Sequence, residues 1–432
     1  MRYDNKNYKK NGRQYKLNSK LIYNIVIFVL GTVFNKGINF FILPVLTYYL
    51  TKDDYGMIAL ITSVVTISSI YIGFSPPNFI MVKYNKFGKE KMAKYISNIL
   101  ILMSISFLVV LTLLYASKDY IFSNYDESGY LVIYIAFLCF FQVFWQQLST
   151  ILQIEKNALK YIIFQFIQTT TTIGLTLLLV IEFKQGWEGK FFAELFIFFL
   201  SACYAFYYLY KNSYIDFNFD MSKIKELFKY LFPLSFYVVG LYIMGTIDKI
   251  FLANLISLEA AGIYAIAITM SIVINIVFDA ISKGWNPYLF ELLNTTNTKD
   301  KLQVVKGTYF FSLFVLLFMV FYILIIPYLF NFMIDEKFSE ALLYIPILIV
   351  AYSFEGLRKP ITELLNHQNK VKTVGIITFL AAMLNIILNI SLIKIYGIYG
   401  AAYATAISFA VLYFITLFFV HKHCDLPWLL KY

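Results

Sequence analysis

Lys36, flanked by Asn35 and Asn39, stands about 15 residues into an apolar stretch that opens at Leu21, roughly 22 Å along a helix rising 1.5 Å per residue. A cation with amides on both sides suits a diphosphate or an acidic sugar in a wet cavity, because an ionisable group at that depth is costly unless it faces the bundle interior. The alternative is a lysine snorkelling along a long tilted helix. Asp248 and Lys249 lie in a second such stretch. Adjacent helical positions diverge by about 100°, so the two do not neutralise one another directly. Asp248 could instead pair with Lys36 and serve as a gate or a protonatable coupling group; the alternative is a buried pair that only stabilises the fold. Gln142, Trp145 and Gln146, with Gln147, form a polar-aromatic cluster able to stack and hydrogen-bond sugar rings, or simply to pack a core. Glu355 and Arg358, one turn apart, are candidate gate or coupling residues or a helix-end ion pair, and Asp279 with Lys283 is a similar i, i+4 pair. Glu194 reads as interfacial.

No catalytic constellation accompanies these residues. His421-x-His423-Cys424 is a poor zinc signature without further ligands. A phosphate-binding glycine loop with its lysine is missing, so the reading is neither an enzyme nor an ATPase, with no cofactor and no metal. Cys139, Cys203 and Cys424 are unspaced singles that suggest no disulfide framework.

What must position the candidates is a set of apolar stretches. A helix needs about 20 mainly apolar residues to cross a hydrocarbon core of about 30 Å. Twelve stretches qualify: 21–50, 55–82, 95–116, 129–152, 158–181, 191–210, 229–255, 261–289, 307–330, 341–357, 373–394 and 400–420. Hydrophobic residues are 60% of the 432 and charged residues 14%, a balance that a soluble domain of this length would not keep in solution. Of 36 Lys and Arg, 28 fall on one set of alternating loops and tails and six on the other. Under the positive-inside rule both termini are cytoplasmic, which agrees with an even span count. The net charge of +11 then follows from topology and anionic headgroups rather than nucleic-acid binding. The 36 Tyr and 44 Phe read first as interfacial belts. The first apolar segment is too long and polar-studded for a cleavable signal peptide.

The chain is also written twice. Leu50-Thr51-x-Asp53-x-x-Gly56-Met57-x-Ala59 aligns with Ile256-Ser257-x-Glu259-x-x-Gly262-Ile263-x-Ala265, and Gly186-x-x-Gly189 with Gly397-x-x-Gly400. Pro77 aligns with Pro287, and Asn157-x-Leu159-Lys160 with Asn369-x-Val371-Lys372. Six spans per copy is even, so both copies insert with one orientation and enclose a midplane cavity, the geometry of alternating access. The expected organisation is a basic segment 1–20, a first lobe 21–215, a second lobe 216–420 and a tail 421–432.

Three stretches carry a family resemblance: the Asp53-Asp54…Gly56 entry to span 2, the Asp248-Lys249 pair followed by Gly262-x-Tyr264-x-x-Ala267, and Gly397-x-x-Gly400-Ala401-Ala402 before span 12. They resemble the polysaccharide-unit flippases, the Wzx-like transporters of O-antigen or capsule repeats, in the multidrug/oligosaccharidyl-lipid/polysaccharide exporter superfamily. The resemblance spans about residues 20–420. It implies an all-α integral membrane fold of 12 transmembrane helices in two parallel-related six-helix lobes around a cationic cavity. It further implies translocation of a polyprenyl-diphosphate-linked oligosaccharide across the bacterial cytoplasmic membrane, with membrane lipids, a polysaccharide polymerase and chain-length machinery as partners. An ion-coupled drug or metabolite antiporter on the same scaffold is the alternative. A membrane polymerase or glycosyltransferase is disfavoured, because the opposite-side loops are short.

Overall fold

The computed structural model describes residues 38, 40, 42–122, 125, 128–155, 157–216, 219–294, 297–368 and 370–428. Asn35, Lys36 and Asn39 lie outside them. The described residues are almost wholly helical, with no strand. In chain order the helices are α1 (Leu43–Tyr49), α2 (Lys52–Tyr71), α3 (Pro76–Ala116), α4 (Lys118–Ile121), α5 (Ser128–Ile154), α6 (Ala158–Leu177), α7 (Gly186–Lys211), α8 (Met221–Leu255), α9 (Leu258–Ser271), α10 (Val273–Leu293), α11 (Thr298–Met333), α12 (Ile345–His367), α13 (Val371–Tyr396) and α14 (Ile398–His423). Nine helical segments among the described residues are long and apolar enough to cross a membrane, or ten if the bent pair Glu336–Leu343 and α12, at 53°, is one span. The expected first and seventh spans are not in that set: only the end of the first is described, and α8 runs through the seventh.

Two boundaries differ from expectation for local reasons. The second span, expected over 55–82, ends at Tyr71. Gly73, Phe74 and Ser75 take φ of 69°, 58° and 61° and turn the chain. Pro76 and Pro77 then open α3, where a proline's missing N–H costs nothing. The tenth, expected over 341–357, runs on to His367 with Pro360 inside the helix.

The sequence repeat has a geometric counterpart at the helix starts. The Thr51 side chain accepts from Asp54 N at 3.1 Å, and Asp54 Oδ2 accepts from Thr51 N at 2.9 Å, a capping box for α2. Ser257, its counterpart, accepts from Ala260 N at 3.1 Å and starts α9. Helices before Lys211 pack mainly on one another, with α5 against α3 and α7; after Met221, α13 packs on α8 and α14, and α12 on α14. The seam between the two sets is α2 against α8 and α9, and α3 against α8.

At this seam glycine is obligatory twice. A Cβ on Gly56 would lie 1.9 Å from the Leu258 carbonyl oxygen, and one on Gly262 2.1 Å from the Lys52 carbonyl oxygen. Two backbones thus meet directly, as small residues permit between membrane helices. Lys52 Nζ reaches Glu259 Oε1 at 2.7 Å over the same crossing. Elsewhere the helices turn large apolar side chains outward, among them Phe310, Leu317, Leu324 and Phe332 of α11, the surface expected towards lipid.

Candidate functional site: a buried carboxylate and a polar pocket

Asp248 sits deep in α8 and is 1% exposed. Thr405 of α14 donates its hydroxyl to Asp248 Oδ2 at 2.6 Å, and Tyr264 of α9 donates to the same oxygen at 3.0 Å. Asn389 of α13 donates Nδ2 to Asp248 Oδ1 at 2.9 Å. The same Asn389 amide also reaches the side-chain oxygen of Asn385, one turn earlier, at 3.1 Å. All these hydrogen-bond donors are neutral. A carboxylate taken out of water costs several kcal/mol unless a positive charge compensates it. Asn389 Oδ1 and Asn385 Nδ2 are buried without a hydrogen-bond partner in this structure. Two hydroxyls and one amide nitrogen, from α9, α14 and α13, therefore donate to the one carboxylate on α8. The set suits a single compensating positive charge on a hard acid, a proton or an alkali cation, rather than a transition metal.

The expected partnership of Asp248 with Lys36 involves a residue that lies outside the described ones; among the described residues, donors from α9, α13 and α14 hold the carboxylate. Lys249, next in sequence, is half-buried. Sequence reasoning missed Tyr264, Asn385, Asn389 and Thr405 as one site. The available signal was Asn385 and Asn389 at i, i+4 in an otherwise apolar span, a spacing that puts two amides on one helix face.

A second polar site lies among α2, α5, α6 and α7: a cavity of about 370 Å³ lined by Thr66, Gln142, Gln168, Thr172, Lys190 and Glu194, among others. Gln168 Nε2 donates to Thr172 Oγ1 at 3.3 Å. Lys190 and Glu194 form an i, i+4 ion pair on its wall. Glu194, expected at an interface, lines this pocket. Amides and hydroxyls set in an apolar bundle, beside one ion pair, offer donors and acceptors suited to sugar hydroxyls.

Of the polar-aromatic cluster read from the sequence, only Gln142 enters this cavity. Trp145 is buried against Phe164 edge to face, with ring centroids 6.3 Å apart. Gln146 is exposed, and Gln147 is buried with its amide on the Met103 sulfur. Residues one helical step apart face different neighbours, so the cluster separates.

Glu355 and Arg358 are paired, but in the middle of α12. Arg358 Nε and Nη2 donate to the two Glu355 oxygens at 2.7 and 2.8 Å, and Nη1 reaches Thr362 Oγ1 at 3.1 Å. The fork is bidentate and Arg358 is 6% exposed, a fixed pair inside one helix. Asp279 is held by Lys359 from α12, which ties α10 to that helix, while the side chain of Lys283, its expected partner, lies outside what is described.

Comparison with known proteins matches this architecture. A model of the polysaccharide biosynthesis protein family matches residues 21–293, and a MatE model matches 233–391. Two Haemophilus influenzae proteins are similar. One, described as an uncharacterized membrane protein, is 23% identical over 284 residues, covering 65% of this chain and 68% of the relative. The other, described as Lsg locus putative protein 1, is 22% identical over 299 residues, covering 68% and 71%. Among solved structures, the inward closed conformation of the lipid II flippase MurJ aligns with TM-score 0.73 at 18% identity, covering 92% of this chain and 87% of that one. An inward-facing MATE family multidrug resistance transporter aligns with TM-score 0.71 at 14% identity, covering 93% and 97%. At these identities the likeness is one of fold.

Proposed function

We propose that this chain, which belongs to the polysaccharide biosynthesis protein family, is a flippase that carries a polyprenyl-diphosphate-linked oligosaccharide from the inner to the outer leaflet of the bacterial cytoplasmic membrane. The observation that carries the reading is the polar cavity at Gln142, Gln168 and Thr172, where sugar-compatible groups are set inside an apolar bundle. Two lobes, 21–215 and 216–420, rock about the α2–α9 crossing, and Asp248 supplies the coupling site by exchanging a proton or an alkali cation. Lys36, Asn35 and Asn39 of the first span contribute a cationic wall that suits a diphosphate or an acidic sugar in transit. Both termini are cytoplasmic, as the lysine distribution supports. The exported units feed a polysaccharide polymerase and its chain-length machinery.

The test is leaflet-resolved labelling of the lipid-linked glycan in membranes with and without the protein. Glycan confined to the inner leaflet in both would sink the reading. A drug or metabolite antiporter is favoured by one observation, the MatE match over 233–391, which includes Asp248. It predicts ion-driven efflux of organic cations with no effect on glycan sidedness.

A further inference from the structure

A second, larger cavity of about 720 Å³ runs along the seam, between α2 and α3 on one side and the start of α8 on the other. Its α3 wall extends from Leu102 to Ser117, about 22 Å at the helical rise, so it follows most of a hydrocarbon core's depth. Ile105, Val109 and Leu113 of that wall are outward-facing and exposed. Its α8 wall is aromatic: Phe228 and Phe232 stack at 4.9 Å, with Phe74 edge-on to both at 5.4 and 5.6 Å.

One charged side chain lines this groove among the described residues, Lys225. On α8, Lys223 pairs with Asp220, Glu226 accepts from Tyr95 at 2.7 Å, and Lys229, one turn on from Lys225, is exposed. Lys225 is exposed and forms no ion pair among the described residues. An ammonium at the lysine-rich end of a long apolar trough is complementary to a hydrocarbon chain with a phosphate at its end.

We propose that this groove binds polyprenyl diphosphate, with the isoprenoid chain laid along α3 and the diphosphate on Lys225. The site deepens, and rests on, the reading of the chain as a carrier of lipid-linked glycan. The two sites share a helix: Thr66 of α2 faces the polar cavity, while Ile67, Ser68 and Tyr71 face the groove. Glycan and tail of one molecule are thereby received on adjacent faces of α2.

The experiment places a photo-reactive benzophenone residue at Val109 in the full-length protein, reconstituted into phosphatidylcholine and phosphatidylglycerol vesicles with radiolabelled polyprenyl diphosphate. The site predicts a saturable crosslink that unlabelled polyprenyl diphosphate competes and extra phosphatidylglycerol does not. Lys225→Glu should weaken binding about tenfold, the loss expected for one charge-assisted phosphate contact, and Lys225→Arg should preserve it. Crosslinking to phospholipid alone, or labelling that Lys225→Glu leaves unchanged in protein that still runs as a single species on size exclusion, overturns the proposal. The two readings fail separately. Glycan transport without prenyl labelling removes the groove and keeps the flippase; specific labelling without transport keeps the groove and removes the flippase.

Discussion

Asp248 and its partners set what single substitutions should do. Asp248→Asn keeps shape and hydrogen bonding while deleting the charge. It should leave membrane abundance near normal and remove the dependence of transport on an ion or proton gradient, as read by uptake at a clamped potential; an unchanged gradient dependence would place coupling elsewhere. Thr405→Val strips one donor from a buried carboxylate and should cost about 1–3 kcal/mol in thermal-shift stability. The α12 pair behaves differently. Glu355→Gln leaves the Arg358 guanidinium buried and half-paired, with a predicted loss of about 3–5 kcal/mol, and a Glu355→Gln, Arg358→Met double variant should recover most of it. If the double variant recovers stability but not transport, the pair has a gating role as well. Asp248 was legible in the sequence as an ionisable residue in an apolar span. Its partners were not, because Tyr264, Asn389 and Thr405 stand 16, 141 and 157 positions away, and only packing brings them together.

Among the helices, the α2–α9 crossing is the element most open to test. Gly56 and Gly262 let two backbones touch, and Lys52–Glu259 latches them. Gly56→Leu should wedge the two helices apart at this end. In a Cys203→Ser background, Lys52→Cys with Glu259→Cys should form a disulfide that halts transport until reduced, and Gly56→Leu should lower its yield several-fold. Full transport by the crosslinked protein would show that the crossing never opens. These glycines were visible beforehand as matched positions in the repeat. The end of α2 was set too late: Gly73, Ser75, Pro76 and Pro77 are turn residues, but the expected span ran through them to residue 82, and the positive φ of Phe74 has no residue-type signature.

For the whole molecule, the apolar spans, the lysine asymmetry and the doubled sequence were enough to indicate a membrane bundle of this superfamily fold, because bilayer thickness and charge bias act on composition itself. Which cavity is polar was harder to foresee, since Gln142 and Trp145 sit together in sequence yet face a cavity and a core. Lys36→Ala should abolish export at unchanged membrane abundance while Lys36→Arg retains it; a fall in abundance would make Lys36 structural. The central claim is that this chain alone moves a lipid-linked glycan between leaflets. Its most direct test is reconstitution of the purified protein with lipid-linked oligosaccharide, followed by treatment with a membrane-impermeant lectin or glycosidase. The account predicts outer-leaflet glycan appearing at a rate proportional to protein, and in Asp248→Asn at a rate that an imposed gradient does not change. Equal accessibility in protein-free vesicles, or none in protein-containing ones under any imposed gradient, would contradict it.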